Sequence, residues 1–144
     1  MTRFLLDTNV LSEFSRSATP PDPNVQNWVE SVPPEAFYTS VLSFGEIRKG
    51  IELLPSGKKR AELEHWLDGG LRRWFGGNLL PVTKAISERW GILAAKSQRQ
   101  GKPLGNIDGL VAATAFEHGL TVATRNKRHF DDLGVTLLNL ELVE

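Results

Sequence analysis

Apolar positions in this chain follow two rhythms. Some form short solid runs, and others return at every third or fourth place, with polar or Gly/Pro breaks between them. Phe4-Leu5-Leu6 is a solid run and reads as a short buried strand. Asp7-Thr8-Asn9 interrupts it, and Val10, Leu11 and Phe14 resume at helical spacing, predicting a helix over about Thr8 to Ser15. Ser17 to Pro23, SATPPDP, predicts a loop, with Pro23 pre-set as the first residue of the next helix. That helix, near Asn24 to Ser31, turns Val25, Trp28 and Val29 inward and ends at Pro33-Pro34. Glu35 to Thr39 is the second strand. Ser40 then caps a helix whose apolar stripe is Val41, Phe44, Ile47, Ile51 and Leu54, stopped by Pro55 and Gly57.

The second half repeats the scheme. Lys58 to Phe75 predicts one amphipathic helix with Ala61, Leu63, Trp66, Leu67, Leu71 and Trp74 inward, ended by Gly76-Gly77. Leu79 to Val82 is a short third strand, weakened by Pro81. Thr83 caps a long helix to about Gln100, with Ile86, Trp90, Leu93 and Ala94 on its core face, and Gly101 to Gly105 is a loop. From Asn106 to Glu117 nearly every residue is small or apolar, the mark of a helix buried on most sides, and His118-Gly119 closes it. Leu120 to Thr124 is the fourth strand and Val135 to Leu138 a last, edge strand. Strands alternating with helices predict an α/β fold: a three-layer α/β/α sandwich with a mainly parallel central sheet of four to five strands, in one domain spanning residues 1–144.

Composition narrows the partners. The 144 residues carry a formal net charge of zero, so no overall basic field advertises nucleic acid, and a polyanion site must come from local clustering. No cysteine is present, which excludes disulfides and thiolate metal sites and suits a cytoplasmic setting. Asp7 comes too early for a secretory leader, and no apolar run approaches the ~18 residues of a membrane span.

Topology then decides which polar residues can meet. In a parallel α/β unit, helix N-termini gather on the rim where strand C-termini end, and ligands collect outside that rim. Asp7 lies there by position, Glu46 lies roughly 9 Å down the helix that Ser40 caps, and Asp108 lies in the first turn of the buried helix. Thr124, Arg125 and Asn126 follow the fourth strand onto the same edge. Each has an ordinary reading too: Asp7 as a helix cap, Glu46 as a solvated flank beside Arg48 and Lys49, Asp108 as a partner of the helix dipole, Asn126 as a turn residue. Together the three acids would repel, and a hard divalent cation with oxygen ligands resolves the repulsion. With phosphate as a further ligand, that is the chemistry of phosphodiester hydrolysis.

The ordered set LLDTNVLSE (Leu5–Glu13), TSVLSFGEIRKGI (Thr39–Ile51) and IDGLVAATAFEHGLTVATRN (Ile107–Asn126) resembles the PIN-domain ribonucleases, specifically the VapC-type toxins of bacterial toxin–antitoxin pairs. The resemblance runs nearly end to end. It implies that Asp7, Glu46 and Asp108 are the catalytic, Mg²⁺- or Mn²⁺-binding acids. Thr8 and Asn9 would support the first acid or the water shell, and Thr124 and Asn126 would orient acids and water. Many relatives carry a fourth acid in or just after the T-R-N turn. Here those places hold Asn126 and His129, which makes His129 the candidate for a fourth position.

The resemblance also implies partners: an RNA substrate, with tRNA favoured, and a small VapB-type antitoxin whose tail lies in the active-site groove. It further implies a homodimer, higher toxin–antitoxin assemblies, no membrane, and DNA only indirectly through the antitoxin. Arg125, Lys127 and Arg128 are the cations placed to hold RNA phosphates, with Lys58-Lys59-Arg60 and Arg72-Arg73 further off. Trp28, Phe37 and Leu53-Leu54 are candidates for an antitoxin-docking surface, with core packing the alternative for each. The rival function is a PIN-like binding module that has lost its metal. Aspartyl phosphotransfer is disfavoured because position 9 is Asn, and Ser56-Gly57-Lys58 lacks the spacing of a phosphate-binding loop.

Overall fold

The computed structural model describes residues 1–15 and 19–141; of the loop read over Ser17 to Pro23, residues 17 and 18 lie outside the described set. Five strands, β1 (Phe4–Leu6), β2 (Phe37–Ser40), β3 (Leu79–Leu80), β4 (Thr121–Thr124) and β5 (Leu137–Asn139), line up in the order β3-β2-β1-β4-β5. Every neighbouring pair is parallel, with Phe4 beside both Phe37 and Thr121, so the sheet is more uniform than the mainly parallel one expected. β3 is only two residues long, as Pro81 predicts.

Adjacent strand residues point to opposite faces. Leu6 therefore joins one core with Val10, Val25, Ile47, Leu67 and Leu71, while Leu5 joins another with Ile86, Leu93, Val111 and Val122. The first face is covered by α1 (Thr8–Leu11), α2 (Pro23–Ser31), α3 (Val41–Glu52) and the segment from α4 (Lys58–His65) to α5 (Arg72–Phe75). The second is covered by α6 (Lys84–Arg99) and α7 (Asn106–His118). This is the three-layer sandwich. Among the described residues no helix is long and apolar enough to cross a membrane.

Several boundaries moved for physical reasons. The first helix is a single turn, α1, followed by a tighter 3₁₀ turn at Ser12–Phe14. Asp22 caps α2, its carboxylate accepting the Asn24 N–H at 2.8 Å, and Pro23 takes the first helical position. The helix expected over Lys58 to Phe75 widens into a π segment at Trp66–Leu71. Gly69-Gly70 lies within that segment, where two missing side chains ease the wider turn and Leu67 and Leu71 still reach the core. Val41 fits the apolar stripe of α3 but sits at the rim, 39% exposed. Phe37 is a core residue and Trp28 is half-buried edge-on against it at 5.4 Å; of the docking surface read around them, Leu53 is the exposed member.

Strand order also locates the crevice. From β1 the chain steps outward one way to β2 and β3, then returns to the other side of β1 for β4 and β5. The reversal lies between β1 and β4, and open parallel sheets bind ligands outside the strand ends at such a point. Asp7 ends β1 and Thr124 ends β4.

Candidate active site

Asp7 is held on every side. Its N–H donates to the Ala123 carbonyl at 3.0 Å, continuing the β1–β4 ladder one residue past the strand. Its carbonyl accepts from the N–H groups of Val10 and Leu11, which starts α1. Its carboxylate accepts the Thr8 N–H at Oδ1 and the Thr124 hydroxyl at Oδ2, both at 2.9 Å. Asp7 is thus both a helix cap and a strand-end acid, and the two sequence readings describe one residue. It is only 6% exposed. Burial pushes its carboxyl above the usual carboxylate range, the two hydrogen bonds pull it down, and Asp108 and Glu46 push it up again.

Glu46 reaches the same rim from α3. The Thr8 hydroxyl donates to Glu46 Oε1 at 2.6 Å, so Thr8 serves the first acid with its backbone and the second with its side chain. Asp108 stands in the first turn of α7. Its neighbour Gly109 explains the close seating of that turn: a Cβ there would lie 2.8 Å from both Trp90 and Leu104. Burial raises the Asp108 carboxyl too; His129 lowers it and Glu46 raises it. Asp7 and Asp108 therefore each feel Glu46, as the convergence argument requires.

The supporting residues form one connected network. Thr124 Oγ1 accepts from Asn9 Nδ2 at 3.2 Å and from the Asn126 N–H at 3.0 Å while donating to Asp7. Asn9 Oδ1 accepts the Arg125 N–H at 3.0 Å. Thr8, Asn9, Thr124 and Asn126 are thus all gathered at the crevice, although Asn9 acts through Thr124 rather than on Asp7 directly. His129 joins from the 3₁₀ turn after β4, its Nδ1 3.3 Å from Asp108 Oδ2 and its Nε2 2.9 Å from Asn126 Nδ2.

Arg125, expected to face RNA phosphates, is turned toward two acids of its own chain. Its guanidinium donates to Glu13 Oε2 at 2.6 Å and to Asp22 Oδ2 at 3.2 Å, and Glu13 Oε1 accepts the Asp22 N–H at 2.9 Å. Its two terminal amino groups turn inward and fasten the T-R-N turn to the start of α2. Glu13 and Asp22 are the residues sequence reasoning passed over; Glu13 stands inside the quoted LLDTNVLSE segment, but nothing in its spacing pointed to Arg125. Lys127 and Arg128 remain exposed on the rim, Lys127 4.0 Å from Asp131. Arg60 pairs with Glu52 and Glu64, and Lys58 lies 3.8 Å from Glu62.

Asp7, Glu46 and Asp108 are the residues that could hold a cation. Among the described residues, none of the three pairs with a Lys or Arg, and no three acidic or histidine side chains are grouped tightly enough to hold an ion by direct contact alone. A hard divalent ion that keeps most of its water and takes only one or two carboxylates directly fits such an open oxygen set.

The PIN domain family model matches residues 4–135. The VapC ribonuclease Y4jK of Sinorhizobium fredii is 35% identical over 135 residues, covering 94% of this chain and 95% of that protein. Toxin FitB of Neisseria gonorrhoeae is 36% identical over 137 residues, covering 94% and 96%. The solved structure of FitAB bound to an IR36 DNA fragment superposes with a TM-score of 0.87 at 33% identity, covering 98% of this chain and 97% of that one. A sheet reversal with an acid at the end of its first strand, two further acids on the same rim and these relatives agree: the chain belongs to the PIN-domain family, in its VapC-type branch.

Proposed function

We propose that this chain is an Mg²⁺- or Mn²⁺-dependent endoribonuclease toxin that cleaves structured RNA and is silenced by a small VapB-type antitoxin. The observation that carries the reading is Asp7. A carboxylate 6% exposed, repelled by two further acids and given no basic partner among the described residues, is costly unless a cation is its purpose. When bound, the cation supplies charge neutralisation at the scissile phosphate and makes a water acidic enough to attack it. Asp7, Glu46 and Asp108 would hold it. Thr124 and Thr8 fix the carboxylates of Asp7 and Glu46 in advance, and Asn9 and Asn126 fix Thr124. Lys127 and Arg128 are the cations left exposed to draw the RNA backbone to this rim.

That the RNA is a tRNA, and that the chain pairs as a homodimer within larger toxin–antitoxin assemblies, rests on the resemblance. An open groove of about 1040 Å³, lined by Phe14, Thr19, Lys58, Leu63, His65 and Trp66, is the apolar surface suited to the antitoxin chain. It takes the place of the surface read around Trp28 and Phe37.

The test is cleavage of total RNA by the purified protein with Mn²⁺, with EDTA, and as Asp7→Asn. Discrete fragments that need the metal and vanish in the variant are expected. Fragments of equal yield from the variant would remove Asp7 from the chemistry. Absence of both cleavage and Mn²⁺ binding by calorimetry would favour the binding module.

A further inference from the structure

His129 is the one site residue whose chemistry differs in kind from its neighbours. Its backbone is well placed: the His129 N–H donates to the Asn126 carbonyl at 3.2 Å, and the next residue, Phe130, is buried at 1% exposure. The turn is therefore anchored while the imidazole stays half-exposed, at 50%. The ring stands between two groups, Asp108 on its Nδ1 side and the Asn126 amide on its Nε2 side.

This bracket has two hydrogen-bonding states. In one, Asn126 Nδ2 donates to Nε2, and Nδ1 carries the proton toward Asp108. In the other, the Asn126 amide is turned over, which leaves its shape unchanged, and Oδ1 accepts the Nε2 proton. The Nδ1 lone pair then faces the carboxylates. The second state is that of a metal-ligating histidine, which almost always donates its other ring N–H to a fixed acceptor. The 3.3 Å between Nδ1 and Asp108 Oδ2 is close to the spacing of adjacent ligands around a six-coordinate ion, roughly 3 Å for bonds of about 2.1 Å. Arg125 is engaged with Glu13 and Asp22 and Lys102 with Asp132, and among the described residues His129 is the basic side chain within ion-pair distance of Asp108.

We propose that His129 is a nitrogen ligand beside Asp108, oriented by Asn126, and that it turns the centre toward Mn²⁺ and later first-row divalent ions at the expense of Mg²⁺. The reason is ligand softness. Mg²⁺ is hard and takes oxygen, whereas affinity for a nitrogen donor rises along the first row from Mn²⁺ onward. This inference rests on the metal-centre reading of the same site and adds to it a donor and a preference.

The test is pulsed electron paramagnetic resonance on the full-length, EDTA-stripped chain loaded with Mn²⁺. Modulation from one coordinated imidazole nitrogen is expected in the native chain and absent in His129→Ala and His129→Asp. By calorimetry, His129→Asp should shift the Mn²⁺-over-Mg²⁺ preference about tenfold toward Mg²⁺, and Asn126→Ala, which keeps the ring, should weaken Mn²⁺ binding about tenfold. Mn²⁺ bound without nitrogen modulation would overturn this assignment and leave the carboxylate centre intact. Modulation surviving in His129→Ala would overturn it as well, and no Mn²⁺ binding at all would overturn both readings.

Discussion

The two halves of this site are built by opposite rules. On the inner side, Asp7, Thr8, Asn9, Thr124 and Arg125 are buried or half-buried and tied to one another by hydrogen bonds that link positions more than 100 residues apart. On the outer side, Asp108, Asn126 and His129 meet through two contacts at the edge of the solvent, and Lys127 and Arg128 project beyond them. The inner half is set by the fold whether or not a ligand is present. The outer half is exposed and held by fewer contacts. A buried, pre-oriented acid provides a fixed reference, and exposed groups on short turns can close on an ion and a phosphate without disturbing the core.

The largest test of this contrast is Asp7→Asn. It should abolish cleavage while making the metal-free protein more stable at neutral pH, read as a higher Tm. The sign follows from the raised carboxyl. The folded chain holds the Asp7 proton to higher pH than the unfolded chain does, so Asp7 contributes no penalty below the ordinary carboxyl range and a growing one as pH rises through its folded value. Asn carries no charge and keeps one side-chain acceptor, enough for the Thr8 N–H but not for the Thr124 hydroxyl as well, so the gain is what remains after that lost bond. The gain should therefore shrink as pH falls toward about 4. Unchanged or lower stability at pH 7 would mean that the inner half tolerates its acid without strain.

Arg125→Ala comes next. It leaves Glu13 and Asp22 without their shared cation at the start of α2, and the side chains of Arg125 and Asp22 are 25% and 8% exposed. The loss should be about 2 kcal/mol in urea unfolding, between the fraction of a kcal/mol typical of an exposed pair and the 3–5 kcal/mol of a buried one. A phosphate-binding arginine would behave differently, giving weaker RNA binding with stability unchanged.

Sequence alone brought Asp7 and Asp108 to one rim but gave no direction to the Arg125 side chain, and the cause is the same in both cases. The change of period at Asp7 and at Asp108 is a local signal, and parallel α/β topology turns it into a position in space. Where a long side chain goes is not local: Arg125 reaches Glu13 and Asp22, whose spacing carries no trace of it. Periodicity also assumes that an apolar stripe is covered along its whole length, so it put Val41 inside, and it runs one helix over Lys58 to Phe75 where the structure widens at Trp66–Leu71. The exchange of an acid for His129 was visible as a departure, but its meaning depends on the distances to Asp108 and Asn126.

The smallest effect separates Arg125 from its neighbours in the same turn. Lys127 and Arg128 are exposed, and the one ion pair either makes among the described residues is the 4.0 Å contact of Lys127 with Asp131. Replacing each with Ala should move stability by no more than about 0.5 kcal/mol. If they face the RNA backbone, each substitution should lower the steepness of the salt dependence of RNA binding by roughly one unit and weaken binding alike for different sequences. Binding measured on the Asp7→Asn background keeps the RNA intact, and a salt series from each variant gives the slope. An unchanged slope in both would move the RNA path off this side of the rim, toward Lys58-Lys59 or Arg72-Arg73. A changed slope with unchanged stability would establish that the three basic residues around one turn divide their labour, one holding the fold and two addressing the substrate.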